Sequence, residues 1–348
     1  MTGRDRILAA LRGDPPDRVP YFDLYIDPKV IGALHPGLSY EQFVEVEDID
    51  GVCCLAIVDD FERVEWIDRD ARLYRDKWGA VQRLVGDELL PLVEAPARIE
   101  TDDDLDRYVP PDPKASPALP AARRLVERFK GERAVIAVGE ATFAPQQYLR
   151  GGLENLLVDY IDRPRFCERL ARIGVEYYSA LYRLLIEAGV DVVLLGDDYA
   201  GNQGPIMSPA HFERFILPGL TAVVSAVHDA GGRVIKHSDG NIWPLMDRLV
   251  SAEPDMLGPL EPAHMDLGKV REHAQGCIGV MGNVDVDLLA RGTPEEVRRV
   301  TRRLLEEVSP GGRHIISSGN TITSYVVPRN YRAMLDTIKA CEARPIRS

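Results

Sequence analysis

Cysteine is sparse. The five residues (Cys53, Cys54, Cys167, Cys277 and Cys341) form no CxxC pair. An odd, scattered set excludes a disulfide scaffold and fits thiols kept reduced in a cytosol. Positive charge is also short: 42 Lys and Arg face 55 Asp and Glu, a formal net charge of −13. That balance excludes the basic stripe of a nucleic-acid binder and disfavours attachment to anionic lipid. No apolar run approaches the roughly 18 residues of a membrane helix. The opening MTGRDRILAALRGD lacks the apolar core and cleavage site of a secretory signal. The chain therefore reads as soluble, acidic and cytoplasmic. GxGxxG after the first strand, P-loop, HExxH and HxH patterns are all missing, which removes the common dinucleotide, NTPase and zinc-hydrolase readings.

What is present is a 348-residue chain, 45% hydrophobic, with regular alternation of short apolar runs and helical patterns. Eight runs have strand length: Val19 to Tyr25, Val52 to Ile57, Ala134 to Gly139, Asp191 to Gly196, Arg233 to His237, Asp255 to Leu260, Cys277 to Gly282 and His314 to Ser318. Near-continuous apolar runs suit parallel strands covered on both faces. Between them lie segments with helix start signals. Thr293-Pro294-Glu295-Glu296 has the N-cap, N1 proline and N3 glutamate of a capped helix. Ser208-Pro209 opens another, and a long one runs from Pro164 to a stop near Gly189. Eight strands with intervening helices predict a single α/β domain over residues 1–348, a (β/α)8 TIM barrel. Asp59 to about Pro120 is too long for one βα loop, and its charged alternation predicts an excursion between the second and third strands, a small hairpin followed by an irregular linker.

In such a barrel the reactive groups sit just past the strands. The third run is followed by Glu140, the fourth by Asp197, Asp198 and Tyr199, and the fifth ends in His237 and leads to Asp239. The sixth leads to Glu261, the seventh to Asn283 and Asp285, and the eighth to Ser318 and Asn320. His237, Asp239, Asp197 and Asp198 are the candidate catalytic groups. Glu140, Tyr199, Glu261, Asn283, Ser318 and Asn320 are the candidate substrate contacts. An H-x-D pair past a strand suits either a divalent metal, with Glu261 as third ligand of His237 and Asp239, or a carboxylate–imidazole acid/base pair. The spacing leaves both open. His237, Asp197 and Glu261 are expected to share one cavity. The rim is rich in acids, Asp23 and Asp285 among them, against Arg150, Lys236 and His237, so the expected substrate is neutral, cationic or singly charged.

Several segments together resemble a known family: RDRILAALRGDPPDRVP, LYRDKWGAV, YLRGGLENLLVDYIDRPRF, GDDYAGNQGPIMSPAHFERFILP, KHSDGNI, GNVD, GTPEEV and PGGRHIISSGNTI. They are similar to uroporphyrinogen decarboxylase and its barrel relatives, the cobamide-dependent methyltransferases. The resemblance independently implies the barrel. It departs from both branches at defined places. Where uroporphyrinogen decarboxylases carry an arginine-rich segment after the first strand, this chain reads YFDLYIDPKVIGAL. Where thiol methyltransferases hold zinc with H-x-C and a later cysteine, His237 matches the histidine, Asp239 stands at the first cysteine position and Asn320 lies near the second. The resemblance thus implies a methyltransferase or demethylase moving methyl from a small O- or N-methylated compound to a corrinoid on a partner protein, with zinc at His237 as a further expectation. The alternatives are a decarboxylase that needs no cofactor and a silent barrel that binds a ligand or corrinoid. The expected partners are a small-molecule substrate, a corrinoid protein and a second copy of the chain, and neither nucleic acid nor membrane.

Overall fold

The computed structural model of the chain describes residues 1–57, 59, 61, 64–84, 92–95, 97–129 and 131–341. Seven of the eight apolar runs form one parallel sheet, in chain order. Its strands are β1 (Gly51–Leu55), β2 (Ala134–Gly139), β3 (Val192–Leu195), β4 (Arg233–Lys236), β5 (Met256–Leu257), β6 (Gly279–Met281) and β7 (His314–Ile315). Every residue of β2 and β3 is buried. This is the both-faces coverage that continuous Val, Ile, Leu and Ala runs require.

The first run departs from the eight-strand expectation. It makes no ladder, only a single parallel bridge, Tyr21 to Ile316, with a second just past its end, Ile26 to Ile322. Pro20 has no N–H to give a ladder, though its carbonyl accepts from the Ile316 N–H at 3.0 Å. On the other side the Asp50 N–H donates to the Tyr21 carbonyl, and the Tyr21 N–H to the Asp50 carboxylate, each at 3.0 Å. The segment therefore lies between β7 and β1 and pairs singly with what flanks each.

Helices follow the capping chemistry of the sequence. Thr293 and Glu296 form a reciprocal capping box at the start of Pro294–Glu307, and Ser208 caps Pro209–Phe215. The long amphipathic helix spans Pro164–Glu187. No helix among the described residues is long and apolar enough to cross a membrane. One hydrophobic cluster joins side chains from Ile7 to Ile338.

The excursion between β1 and β2 is larger than a hairpin. Glu65–Asp68, Leu73–Arg75, Val81–Arg83 and Leu92–Ala95 form a four-stranded antiparallel meander. Its inner face is organised by Tyr74, which stands opposite Trp66 in the ladder with ring centroids 5.8 Å apart. The linker is not wholly irregular either: Thr101 and Asp104 form a capping box at the start of Asp102–Arg107, and Ala118–Phe129 is an amphipathic helix. Residues 58, 60, 62, 63, 85–91 and 96 of this region lie outside the described residues.

Asp23 ties the first segment to the end of the sheet. Its Oδ1 accepts from the Ser318 N–H at 2.9 Å and hydroxyl at 2.7 Å. Its Oδ2 accepts from the hydroxyls of Tyr21 at 2.7 Å and Tyr331 at 3.2 Å. Burial raises its pKa against these four donors. Asp23→Ala would strand buried donors, so a loss of about 2–4 kcal/mol is expected in denaturant unfolding. A change below about 0.5 kcal/mol would show that the clamp is dispensable.

Candidate functional site

Past the ends of β2, β3 and β4 lies a cavity of about 510 Å³. Glu140, Asp197, Asp198, His237 and Asp239 reach it from the sheet. Tyr25 and Asp27 come from the segment between β7 and β1, and Asn320, Thr321, Thr323, Ser324 and Tyr325 from the loop after β7. Leu24, Leu55, Ile57, Val138 and Leu194 form an apolar wall.

His237 is buried, and its Nδ1 lies 2.6 Å from the Pro259 carbonyl oxygen. A carbonyl only accepts, so Nδ1 carries the proton in this bond and Nε2 is the nitrogen turned to the cavity. Nε2 lies 3.6 Å from Asp198 Oδ1 and 3.7 Å from Asp239 Oδ1. Second contacts hold both carboxylates: Asp198 Oδ1 accepts the Asp239 N–H at 2.9 Å, and Asp239 Oδ2 accepts from Asn320 Nδ2 at 2.7 Å. The turn that sets this geometry needs glycine at position 240. Its φ is +77°, and a Cβ there would stand 2.7 Å from the Ala200 and Gly201 backbone.

One atom in this group is left over. Asp239 Oδ1 is buried with no hydrogen-bond partner. Burial raises the pKa of Asp239, with the Asp198 carboxylate adding to it and His237 opposing. Asp198, His237 and Asp239 each offer one ligand atom, all within 4.8 Å of one another. Tetrahedral ligands at about 2.0–2.2 Å from an ion stand roughly 3.4 Å apart. The imidazole–carboxylate donor set and the orphaned oxygen therefore fit a divalent cation, and Asp198 takes the place expected for Glu261. Glu261 instead accepts the Gly240 N–H at 3.1 Å and braces the turn from outside the cavity lining.

Asp197 and Glu140 differ in what engages them. Asp197 sits at φ +64°, and its two oxygens accept the N–H groups of Thr142, Phe143 and Ala144 at 2.7, 2.9 and 3.1 Å. The Thr142 side chain makes no capping bond, so Asp197 caps the helix Phe143–Arg150 from across the sheet. It borders the cavity as a positioning group. Glu140 accepts from Tyr148 Oη at 2.6 Å and Tyr178 Oη at 2.9 Å. Burial first, and the Asp197 charge second, push its pKa up to about 7.

Other expected site residues lie elsewhere. Tyr199 is buried beneath the Lys236 ammonium, 4.3 Å from its ring centroid. Asn283 donates to the Met265 carbonyl at 3.0 Å, and Ser318 serves Asp23. Asp23 is in the interior and Asp285 caps Val286–Arg291, so neither lines the cavity. The supposed rim cations are also engaged: Lys236 donates to the carbonyls of Gly196, Asp197 and His237, and Arg150 pairs with Asp159 at 2.5 Å. Among the described residues, no lysine or arginine lines the cavity, against five carboxylates (Asp27, Glu140, Asp197, Asp198 and Asp239).

Cobalt(II) titration of metal-free protein checks the ligand assignment. One equivalent is expected to give a visible d–d spectrum that is lost in H237A, D198N and D239N and kept in E261Q. Loss in E261Q with retention in D198N would return Glu261 to the site.

Comparison with known proteins agrees with this architecture. The profile of the family described as uroporphyrinogen decarboxylase (URO-D) matches residues 78–341. Proteins named uroporphyrinogen decarboxylase from Syntrophotalea carbinolica and Methylococcus capsulatus are similar to this chain. They are 25% and 27% identical over 257 and 247 residues, covering 71% and 68% of both chains in each pair. A solved methyltransferase from Methanosarcina mazei shares the fold with a TM-score of 0.75 at 19% identity, covering 98% of this chain and 99% of that one. A B12-independent methionine synthase from Shewanella sp. W3-18-1 gives 0.54 at 14% identity, covering 94% and 97%. With its profile spanning most of the sheet and the site loops, the chain belongs to the uroporphyrinogen decarboxylase (URO-D) family.

Proposed function

We propose that this protein is an enzyme of the (β/α)8 type. It takes a small O- or N-methylated compound into the cavity and passes the methyl group to a corrinoid carried by a partner protein. The observation that carries the reading is the imidazole–dicarboxylate group with its orphaned Asp239 Oδ1, in a cavity whose described lining has no lysine or arginine.

Methyl transfer breaks a C–O or C–N bond, and the electron pair stays on the heteroatom. That atom needs a proton or a Lewis acid to leave. The corrinoid supplies the nucleophile that accepts the methyl group. A divalent ion held by Asp198, His237 and Asp239 would supply Lewis-acid pull on the leaving atom. The chain's own residues do the rest. The Pro259 carbonyl holds the imidazole with Nε2 inward, and Asn320 and the Asp239 N–H hold the two carboxylates. Leu55, Ile57, Val138 and Leu194 give the substrate an apolar wall.

A second reading, cofactor-free decarboxylation, is favoured by the relatives that bear that name and by Glu140, whose pKa near 7 suits delivery of a proton to carbon. The charge of the site weighs against a polycarboxylated substrate, which needs cationic anchors.

The experiment is an assay of methoxylated aromatic and N-methylated compounds with reduced cobalamin, free or on a carrier protein, reading demethylated product by mass spectrometry. Turnover is expected, with kcat lowered about 100-fold or more in H237A. Release of carbon dioxide from a polycarboxylated tetrapyrrole, with no demethylation of any compound, would overturn the proposal in favour of the second reading.

A further inference from the structure

Glu140 lies at the end of β2, two strands away from His237 at the end of β4, so roughly 10 Å separates the two positions at ordinary strand spacing. Glu140 is thus at the wall of the cavity remote from the imidazole–dicarboxylate group. Its carboxylate has hydrogen-bond donors in place on both oxygens, from Tyr148 and Tyr178, which reach it from the helices Phe143–Arg150 and Pro164–Glu187. Among the described residues, the cavity lining offers it no lysine or arginine as counter-charge. The groups facing it are Asp197, which repels, the neutral hydroxyls of Tyr148 and Tyr178, and Tyr182, whose hydroxyl donates to the Glu140 carbonyl. Lys77 acts in the other direction, but its ammonium donates to the carbonyls of Ala56 and Ile57 at 3.3 and 3.1 Å and does not line the cavity. Asp198, Asp239 and His237 occupy the far end.

A carboxylate with its hydrogen bonds made, and with no lysine or arginine among the described residues that line its cavity, is poised to take a cation from a ligand. We propose that the substrate carries an ammonium group remote from its reacting methyl, and that this group pairs with Glu140 while the methylated heteroatom lies toward His237. The substrate class is a small amine cation that bears its O- or N-methyl group at the other end of an apolar body, the body lying along Leu55, Ile57, Val138 and Leu194. This rests on the methyl-transfer reading for the reacting end only; recognition of the cation stands by itself.

The pairing fixes the direction of its pH dependence. Burial, and the Asp197 charge after it, push the Glu140 pKa up to about 7. Below that pH it is protonated and a cation must displace its proton; above it the carboxylate is already charged. Cation affinity therefore rises with pH through about 7 and then levels, and binding below that point releases a proton.

The test compares 4-methoxyphenethylamine with 4-methoxyphenethyl alcohol, which differ only in the ammonium, by isothermal titration calorimetry without any corrinoid. At pH 8 the amine is expected to bind about tenfold or more tightly than the alcohol. That preference is expected to shrink at pH 6 and to disappear, together with its pH dependence, in E140Q. In wild type at pH 6.5, buffers of different ionisation enthalpy are expected to report proton release, a readout that does not depend on the variant folding. Equal affinities in wild type, a preference that survives in E140Q, or no binding of the amine at millimolar concentration would overturn the inference. Demethylation of the alcohol with equal affinities would leave the proposed function standing without it. Tight amine binding with no methyl transfer would do the reverse.

Discussion

The hydrogen bond from His237 Nδ1 to the Pro259 carbonyl decides the chemistry of this site, because it turns Nε2 toward Asp198 and Asp239. Without it the imidazole could present either nitrogen, and the two carboxylates would have no fixed partner. Everything around the bond preserves its direction. Gly240 lets the turn pass close to Ala200 and Gly201, Glu261 holds the Gly240 N–H, and Asn320 reaches across from the loop after β7 to Asp239. Lys236 staples the neighbouring strand ends from below through the carbonyls of Gly196, Asp197 and His237.

Charge sets the second constraint. Among the described residues, Lys236 is used internally on carbonyls, Arg150 on Asp159, and Lys77 on Ala56 and Ile57. Negative groups are left facing the cavity, and burial raises two of them, Glu140 and Asp239. Such a cavity attracts cations and disfavours polyanions. Family membership shows a shared framework, and the charges of the site decide what that framework receives.

The sequence shows the strand ends clearly, because continuous apolar runs followed by polar residues have one physical meaning in a parallel sheet. Glu140, Asp197, Asp198, His237 and Asp239 all reach the cavity as their positions require. It shows less well what each side chain does once there. Asp197 and Asp198 are adjacent in the chain, yet one, at φ +64°, caps a helix from another βα unit and the other faces His237, and no local pattern announces the difference. Ser318 and Asn283 follow strands as Asp198 does but point into the interior, toward Asp23 and Met265. Tyr148 and Tyr178, which shape Glu140, lie on helices where a tyrosine reads as ordinary core. The first apolar run reads like the others, but Pro20 has no N–H, and the Tyr21 and Ser318 N–H groups go to the carboxylates of Asp50 and Asp23 in place of a ladder.

Anomalous diffraction at the zinc edge, from crystals grown with zinc, tests the central claim most directly: that the site is a cation site built on His237. The account expects one strong peak within about 2–2.3 Å of His237 Nε2, Asp239 Oδ1 and an Asp198 oxygen. A site that stays free of metal at saturating zinc, while binding a polycarboxylate in the same cavity, would contradict it.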